Sequence, residues 1–159
     1  LYIHAPWEEI NWQEAIPQIG ELIDEGMVRD FGVSNFTVTD METVREIAKH
    51  PIVANQMNYN LLYKDEVDET FREYCKEHDI QLVAYQPIKR QEVLNNKTIQ
   101  EIADARKATP AQVALAWLLA QGALPIPKAV KREHIDDNIK AADLQLSDQD
   151  IDRLDLEGK

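Results

Sequence analysis

The sequence predicts an α/β fold in which parallel strands alternate with helices. Five short apolar runs are separated by longer segments whose apolar residues recur at helical spacing. The runs begin roughly 25 to 40 residues apart, so each helix has room to cross over between two parallel strands. Two architectures satisfy this alternation, an open doubly wound sheet and a (β/α)8 barrel. The chain has five glycines and no glycine-rich phosphate fingerprint after a strand, which favours the barrel.

The predicted elements alternate along the whole chain. Strands are predicted over residues 1–4, 28–34, 53–57, 81–85 and 123–126. Helices are predicted over about 12–23, 39–49, 66–78, 97–107, 110–121, 133–141 and 148–156. No low-complexity stretch or flexible linker interrupts them, so we treat 1–159 as part of a single domain.

Capping patterns indicate where several helices begin. Asn11 with Glu14 fits a capping box, and so does Thr39 with Glu42. The dipeptide at 109–110 places threonine at the N-cap and proline at the first helical position.

Two further helix starts follow from the same reasoning. Ser147 and Asp150 open the last helix. Pro17 lies beyond the first turn of the first helix, which predicts either a kink or a later start there.

The composition and net charge limit the classes of molecule that this protein is expected to bind. The chain has 159 residues, 44% apolar and 29% charged, as in an ordinary soluble domain. Its net charge of −12 argues against nucleic acid but leaves room for a small anionic ligand at a local basic patch. No apolar run is long enough to span a membrane, and no spacing resembles a metal site. Cys75 is the single cysteine, which favours a reducing, cytoplasmic location.

Polar or aromatic residues end all five predicted strands. These residues are His4, Ser34 with Asn35, Gln56 with Asn58, Tyr85 with Gln86, and Lys128. In a (β/α)8 barrel the carboxyl ends of the strands carry the chemistry. Any one of these residues is compatible with a simple turn, but their recurrence at five strand ends favours an extended polar ligand across the mouth of the barrel.

Each strand end also has a structural interpretation. His4 is either a satisfied core histidine or a hydrogen-bond donor to a substrate carbonyl. Ser34 and Asn35 either cap a turn or hold an amide-bearing ligand. Gln56 needs a protein or ligand partner if it is buried. Tyr85 either belongs to the core or stacks on an aromatic ligand.

One basic cluster stands out in this acidic chain. It consists of Lys128, Lys131 and Arg132, directly before a predicted helix. The cluster is either a solvated turn or an anion site, because lysines beside a helix N-terminus favour phosphate.

Six segments resemble motifs of the aldo-keto reductase family. They are L-Y-I-H-A-P-W at 1–7 for the family's L-x-x-x-H-W-P, G-V-S-N-F at 32–36, which is identical, N-Q-M-N-Y-N at 55–60 for its sixth strand, V-A-Y-Q-P-I at 83–88 for V-A-Y-S-P-L, T-P-A-Q-V-A-L-A-W at 109–117 for T-P-A-Q-V-A-L-R-W, and I-P-K-A at 126–129 for I-P-K-S. The resemblance covers essentially the whole chain, in order.

The resemblance implies a barrel enzyme that reduces aldehydes or ketones with NADPH. It implies that His4 orients the carbonyl and that Trp7 lies near the substrate. It also implies cofactor contacts from Ser34, Asn35 and Gln56 to the nicotinamide carboxamide, Tyr85 to the nicotinamide ring, Gln86 and Ile88 to the pyrophosphate, Lys128, Ala129, Val130 and His134 around the 2′-phosphate, and Asp137 and Asn138 to the adenine.

The sequence departs from the family pattern at three of these positions. Ala129 replaces a serine and His134 an arginine, which weakens the case for a strong NADPH preference and leaves NADH possible. Lys131 and Arg132 are candidates to compensate for the lost serine and arginine near the 2′-phosphate. Ala5 stands at the position of the usual tryptophan, and Trp7 lies two positions later.

The family's proton-donating tyrosine, with its lysine and aspartate, comes from βα units that this sequence does not contain. A complete barrel takes about 250 residues, so we expect roughly 100 residues before Leu1 and read the chain as the C-terminal five of eight βα units. We expect the chain alone to be inactive, and the complete parent to be a monomer or weak dimer acting on a small carbonyl substrate. The alternative is a non-catalytic nucleotide-binding or regulatory half-barrel module.

Overall fold

The computed structural model describes residues 1–7, 10–88 and 90–158 and has an α/β fold whose five strands form a parallel sheet. The strands are β1 Tyr2–Ile3, β2 Phe31–Ser34, β3 Ile52–Asn58, β4 Gln81–Tyr85 and β5 Leu124–Pro125. The helices are α1 Trp12–Asp24, α2 Val38–Ile47, α3 Glu69–Glu77, α4 Arg90–Leu94, α5 Lys97–Arg106, α6 Pro110–Ala120, α7 Arg132–Lys140 and α8 Asp148–Asp155. All five predicted strands and all seven predicted helices are present, so the α/β prediction is confirmed.

The chain forms two compact units. The first contains Leu1–Met57 and Asp68–Leu82. The second contains Asn58–Val67 and the described chain from Val83 onward.

In the first unit, β1, β2 and β3 are parallel and lie in chain order. Tyr2 is level with Gly32, and Ser34 is level with Gln56. A register shift between Phe31 and Val33 adds one residue to β3. Gly32 is required here, because a Cβ at this position would lie 2.8 Å from the Tyr2 ring and 2.9 Å from a backbone oxygen of β3.

In the second unit, β4 and β5 are parallel, with Val83 level with Leu124. The pairing continues one residue past β5, where the Ile126 amide donates to the Ala84 carbonyl at 3.0 Å. Helix α6 is buried from Gln112 to Leu118, so it forms the core of this unit rather than one of its faces.

Some details of the predicted helix starts differ from the structure. Asn11 is the N-cap of α1 as predicted, but its side chain forms no capping hydrogen bond, so the predicted capping box is wrong. Helix α1 begins at Trp12 and includes Pro17, so the later start is also wrong. The box at Thr39 is wrong by two residues: Thr37 caps α2.

The predicted starts of α6, with Thr109 at the N-cap and Pro110 at the first helical position, and of α8, at Ser147, are confirmed. Thr109 pairs with Gln112, and Ser147 pairs with Asp150. Helix α4 was not predicted, because it spans five residues and is too short to show a helical period.

No helix of the described residues is both long and apolar enough to cross a bilayer. The same residues contain no group of three or more histidine, cysteine, aspartate or glutamate side chains suited to a metal ion.

Candidate functional site

Four of the predicted site residues lie at one edge of the first unit. They are His4, Ser34, Asn35 and Gln56. Ile3 is level with Val33, so His4 follows β1 at the height where Ser34 ends β2. Ser34 is in turn level with Gln56. Parallel strands bring their carboxyl ends to a common edge. Strand β3 continues two residues past Gln56, to Asn58, and its register shift places Gln56 level with the end of β2.

Hydrogen bonds join Ser34, Asn35 and Gln56. The Ser34 hydroxyl donates to the Gln56 carbonyl at 2.9 Å and accepts from Asn35 Nδ2 at 3.2 Å. The Asn35 backbone amide donates to the same Gln56 carbonyl at 2.9 Å. Asn35 has a φ of 59°, a left-handed conformation that asparagine tolerates better than most residues. These bonds fix the backbone after β2 and the orientation of the Asn35 amide.

The side-chain amide of Gln56 remains uncommitted. It is half-buried and forms no hydrogen bond with any residue that the structure describes. A half-buried primary amide without a protein partner is suited to a ligand that carries both a donor and an acceptor, such as a carboxamide. Gln56 and Asn35 together supply both kinds of group at this edge.

Asn55 also supports this edge, and no local sequence pattern indicates this role. Its side chain is fully buried, and Nδ2 donates to the Phe36 carbonyl at 2.8 Å and contacts Met41 Sδ at 3.3 Å. Asn55 Oδ1 is buried without a hydrogen-bond partner among the described residues. The amide therefore ties the turn after β2 to β3, at the cost of an unsatisfied oxygen.

His4 is exposed in this chain and is not part of the core of the first unit. Its ring contacts Trp7 edge-to-face, with centroids 5.4 Å apart and planes at 83°. Trp7 is half exposed, at 50%. An exposed imidazole beside an exposed indole provides a polar donor next to an apolar surface, which suits a small ligand with both polar and apolar parts.

In the second unit, β4 ends in a turn that a buried asparagine stabilises. Tyr85 is half-buried at the end of β4, and Gln86 follows it with a left-handed φ of 51°. Asn60 is fully buried and donates from Nδ2 to the Gln86 carbonyl at 3.2 Å. Pro87 is buried and Ile88 is half-buried. Tyr85 is thus held in a fixed turn with its ring partly accessible.

The basic cluster lies in the segment between β5 and α7. Strand β5 ends at Pro125, so Lys128 lies three residues beyond the strand rather than at its end. Lys131 pairs with Glu133 at 3.6 Å and Arg132 with Asp136 at 3.3 Å. Lys128 is exposed and forms no ion pair with the described residues, so it is the member of the cluster best able to meet an anion.

The remaining predicted cofactor positions also lie on this segment and on α7. Ala129 is half-buried and Val130 is 83% exposed. His134 is exposed and lies 3.9 Å from Glu133. Asp137 and Asn138 are half-buried on α7.

Asp137 is bonded to α6, which no sequence pattern indicated. Its Oδ1 accepts from Gln112 Nε2 at 2.6 Å, and its Oδ2 accepts from the Thr109 hydroxyl at 3.0 Å. The residues that begin α6 therefore also hold α7.

The chain is similar to one well-defined group of proteins. A sequence model described as "Aldo/keto reductase family" matches residues 1–156. Over 159 residues the chain is 32% identical to a protein named glyoxal reductase from Bacillus subtilis, covering 99% of this chain and 55% of that protein. It is 32% identical to methylglyoxal reductase DkgB from Escherichia coli O157:H7, covering 92% of this chain and 54% of the relative.

Solved structures give the same result. An aldo/keto reductase from Klebsiella pneumoniae in complex with NADP and acetate superposes with a TM-score of 0.88 at 32% identity, over 99% of this chain and 58% of that one. An aldo-keto reductase from the same organism in complex with NADPH gives 0.90 at 31% identity, over 99% and 57%. The chain thus spans about half the length of the relatives that it matches.

Proposed function

This chain belongs to the aldo/keto reductase family, and from that premise we propose that it is part of an NAD(P)H-dependent oxidoreductase that reduces aldehydes or ketones to alcohols. Relatives named for the reduction of glyoxal and methylglyoxal support a small carbonyl compound as the substrate. The structures of relatives with NADP and NADPH support a nicotinamide cofactor.

The observation that carries this proposal is the edge formed by His4, Ser34, Asn35 and Gln56. The amides of Asn35 and Gln56 would bind the carboxamide of the nicotinamide. The Ser34 hydroxyl already donates its proton to the Gln56 carbonyl and accepts from Asn35, so we assign Ser34 the role of holding Asn35 in place. When bound, the cofactor supplies the hydride. His4 lies at the same edge and would donate an imidazole N–H to the carbonyl oxygen of the substrate.

We assign the second unit to the remaining parts of the cofactor. Tyr85 would stack on the nicotinamide ring, and Gln86 with Ile88 would border the pyrophosphate. Lys128, which has no carboxylate partner in the described chain, would bind the 2′-phosphate of NADPH. Further contacts are assigned to Ala129, Val130, His134, Asp137 and Asn138.

The cofactor preference follows from charge. Lys131 and Arg132 are both paired with carboxylates of α7, so they add less positive potential than unpaired side chains would. The 2′-phosphate therefore depends mainly on Lys128. We propose that NADPH is preferred over NADH by a modest factor that Lys128 controls.

We also propose that the chain acts within a complete (β/α)8 barrel and has no turnover by itself. Carbonyl reduction needs a proton as well as a hydride. None of the five tyrosines stands in a motif for the family's proton donor; Tyr74, for example, is bonded to Glu42 and Arg45 on the surface of α2. A cytoplasmic location and a monomeric or weakly dimeric parent belong to the same proposal.

Calorimetric titration of the 159-residue chain with NADPH tests the binding site. Replacing the uncommitted amide by Gln56→Leu should weaken NADPH binding about tenfold, the value of one or two hydrogen bonds. Gln18→Leu makes the same change at an exposed position of α1 and should leave the affinity unchanged. Equal affinity of the Gln56→Leu variant and the unaltered chain would contradict the assigned carboxamide site.

Oxidation of NADPH in the presence of methylglyoxal tests the proposal that the chain alone has no turnover. Binding without turnover is the expected result for the chain alone. Turnover at a rate typical of an enzyme would contradict the proposed inactivity, and would also exclude the non-catalytic module as the alternative function.

A further inference from the structure

Helix α7 carries several of the proposed cofactor contacts, yet it buries little of its own surface. None of its nine residues is buried. Its Arg132–Asp136 ion pair lies within the helix, so it does not attach α7 to the rest of the unit. The hydrogen bonds that do attach it within the described chain come from α6 and converge on Asp137.

Gln112 supplies most of this attachment. Its side chain is 9% exposed, and Nε2 donates to Asp137 Oδ1 at 2.6 Å and to the Asp137 carbonyl at 3.3 Å. Its Oε1 accepts from the Thr109 backbone amide at 3.0 Å, which closes the capping box of α6. One buried amide thus uses its oxygen to begin α6 and its nitrogen to hold α7.

Hydrogen bonds from α6 and its N-cap fix the orientation of the Asp137 carboxylate. Both of its carboxylate oxygens accept hydrogen bonds from α6, one from Gln112 and one from Thr109. Its carboxylate is therefore held in one orientation by α6, beside its neighbour Asn138.

We propose that Gln112 is a positioning residue for the adenosine end of the cofactor, acting through Asp137 to hold α7 and the segment after β5. This inference rests on the proposed function, because it assumes that α7 and Lys128 bind the adenosine phosphate. Gln112 itself touches no cofactor. Its effect is confined to the half of the ligand that α7 binds.

The chain offers a substitution that breaks this link alone. In Gln112→Glu, a carboxylate oxygen still accepts from the Thr109 amide, and glutamate is itself a preferred residue at this capping-box position. The other carboxylate oxygen takes the place of Nε2, so the donor to Asp137 is lost. The carboxylates of residue 112 and Asp137 then face and repel each other. Gln13→Glu is the matched control, since it adds the same charge in the first turn of α1 at an exposed position.

Calorimetric titration of each variant with three probes tests the proposal. Gln112→Glu should weaken binding of NADPH and of 2′,5′-ADP about tenfold and leave binding of reduced nicotinamide mononucleotide unchanged, because only the first two probes carry adenosine. Adding Asp137→Asn to Gln112→Glu supplies a new amide donor and should restore most of the lost affinity. Gln13→Glu should match the unaltered chain with all three probes.

The outcomes separate the two proposals. If the unaltered chain binds NADPH and Gln112→Glu binds 2′,5′-ADP equally well, the positioning role is wrong and the proposed function stands. If Gln112→Glu weakens binding of the mononucleotide as much as binding of 2′,5′-ADP, its effect is a general loss of structure and the positioning role is again wrong. If the unaltered chain binds none of the probes, the proposed function fails and this inference fails with it.

Discussion

Asn60 donates a hydrogen bond from Nδ2 to the backbone carbonyl of Gln86 at 3.2 Å, and it does so from a fully buried position. Gln86 is the left-handed residue that follows the candidate nicotinamide-stacking Tyr85. In the first unit, buried Asn55 binds the Phe36 carbonyl beside left-handed Asn35. In both units, therefore, a buried asparagine amide stabilises a strained turn at a strand end.

Replacing this amide should destabilise the fold. Asn60→Asp keeps an oxygen for the Leu62 amide, which now binds Asn60 Oδ1 at 3.0 Å, but it removes the donor to Gln86 and sets a second oxygen against that carbonyl. We expect a loss of about 2 kcal/mol in the free energy of unfolding, measured with urea. Asn95→Asp makes the same change at an exposed position and should cost much less. Equal losses in the two variants would show that the buried bond contributes nothing.

Helix positions were largely predictable from the sequence, whereas some helix starts were not. Thr37 with Asp40 and Thr39 with Glu42 both satisfy the capping pattern, and the structure uses the first pair. Met41 and Val44 of this helix are buried, and a helix that began two residues later would bury the same face. The hydrophobic pattern therefore does not choose between the two starts, and the local capping signals are of similar strength.

The common location of the strand-end residues in the first unit was predictable, because parallel strands bring their carboxyl ends together. Asn55, Asn60 and Gln112 were not predicted as supports of the site. Each is a buried polar residue whose partner lies 19 to 26 positions away in sequence. Such pairings depend on the fold and have no local pattern.

Lys107 is the C-cap of α5 and has a left-handed φ of 54°. A residue with a side chain pays for this conformation and glycine does not, so Lys107→Gly should stabilise the chain by roughly 0.5–1 kcal/mol. Lys107→Ala removes the same charge but keeps the Cβ, so it isolates the backbone effect and should bring no gain. Urea unfolding of both variants measures the difference, and an equal change in the two would attribute the effect to charge.

Cys75 should be unreactive in the native protein. Its side chain is buried on α3, and burial raises the pKa of the Cys75 thiol to about 11. At pH 8 the thiolate fraction is therefore roughly two orders of magnitude below that of a free cysteine. We expect slow reaction with 5,5′-dithiobis(2-nitrobenzoate) in buffer and fast reaction in urea. A native rate equal to the rate in urea would show that the thiol is accessible.

Glu157 should make stability depend on pH. The Thr98 hydroxyl and Asn96 Nδ2 each donate to its carboxylate at 2.6 Å, and these bonds hold the pKa of Glu157 below its ordinary value of 4.5. A lowered folded-state pKa means that this contribution is fully present above the unfolded-state value and is lost as the pH falls through the folded-state value. The stability difference between the unaltered chain and Glu157→Gln should therefore be larger at pH 7 than at pH 3, measured by urea unfolding at each pH. Thr98→Val removes the first of the two donors, so in that background the pH dependence should shrink. A difference that stays constant from pH 7 to pH 3 would mean that the two bonds do not favour the ionised carboxylate.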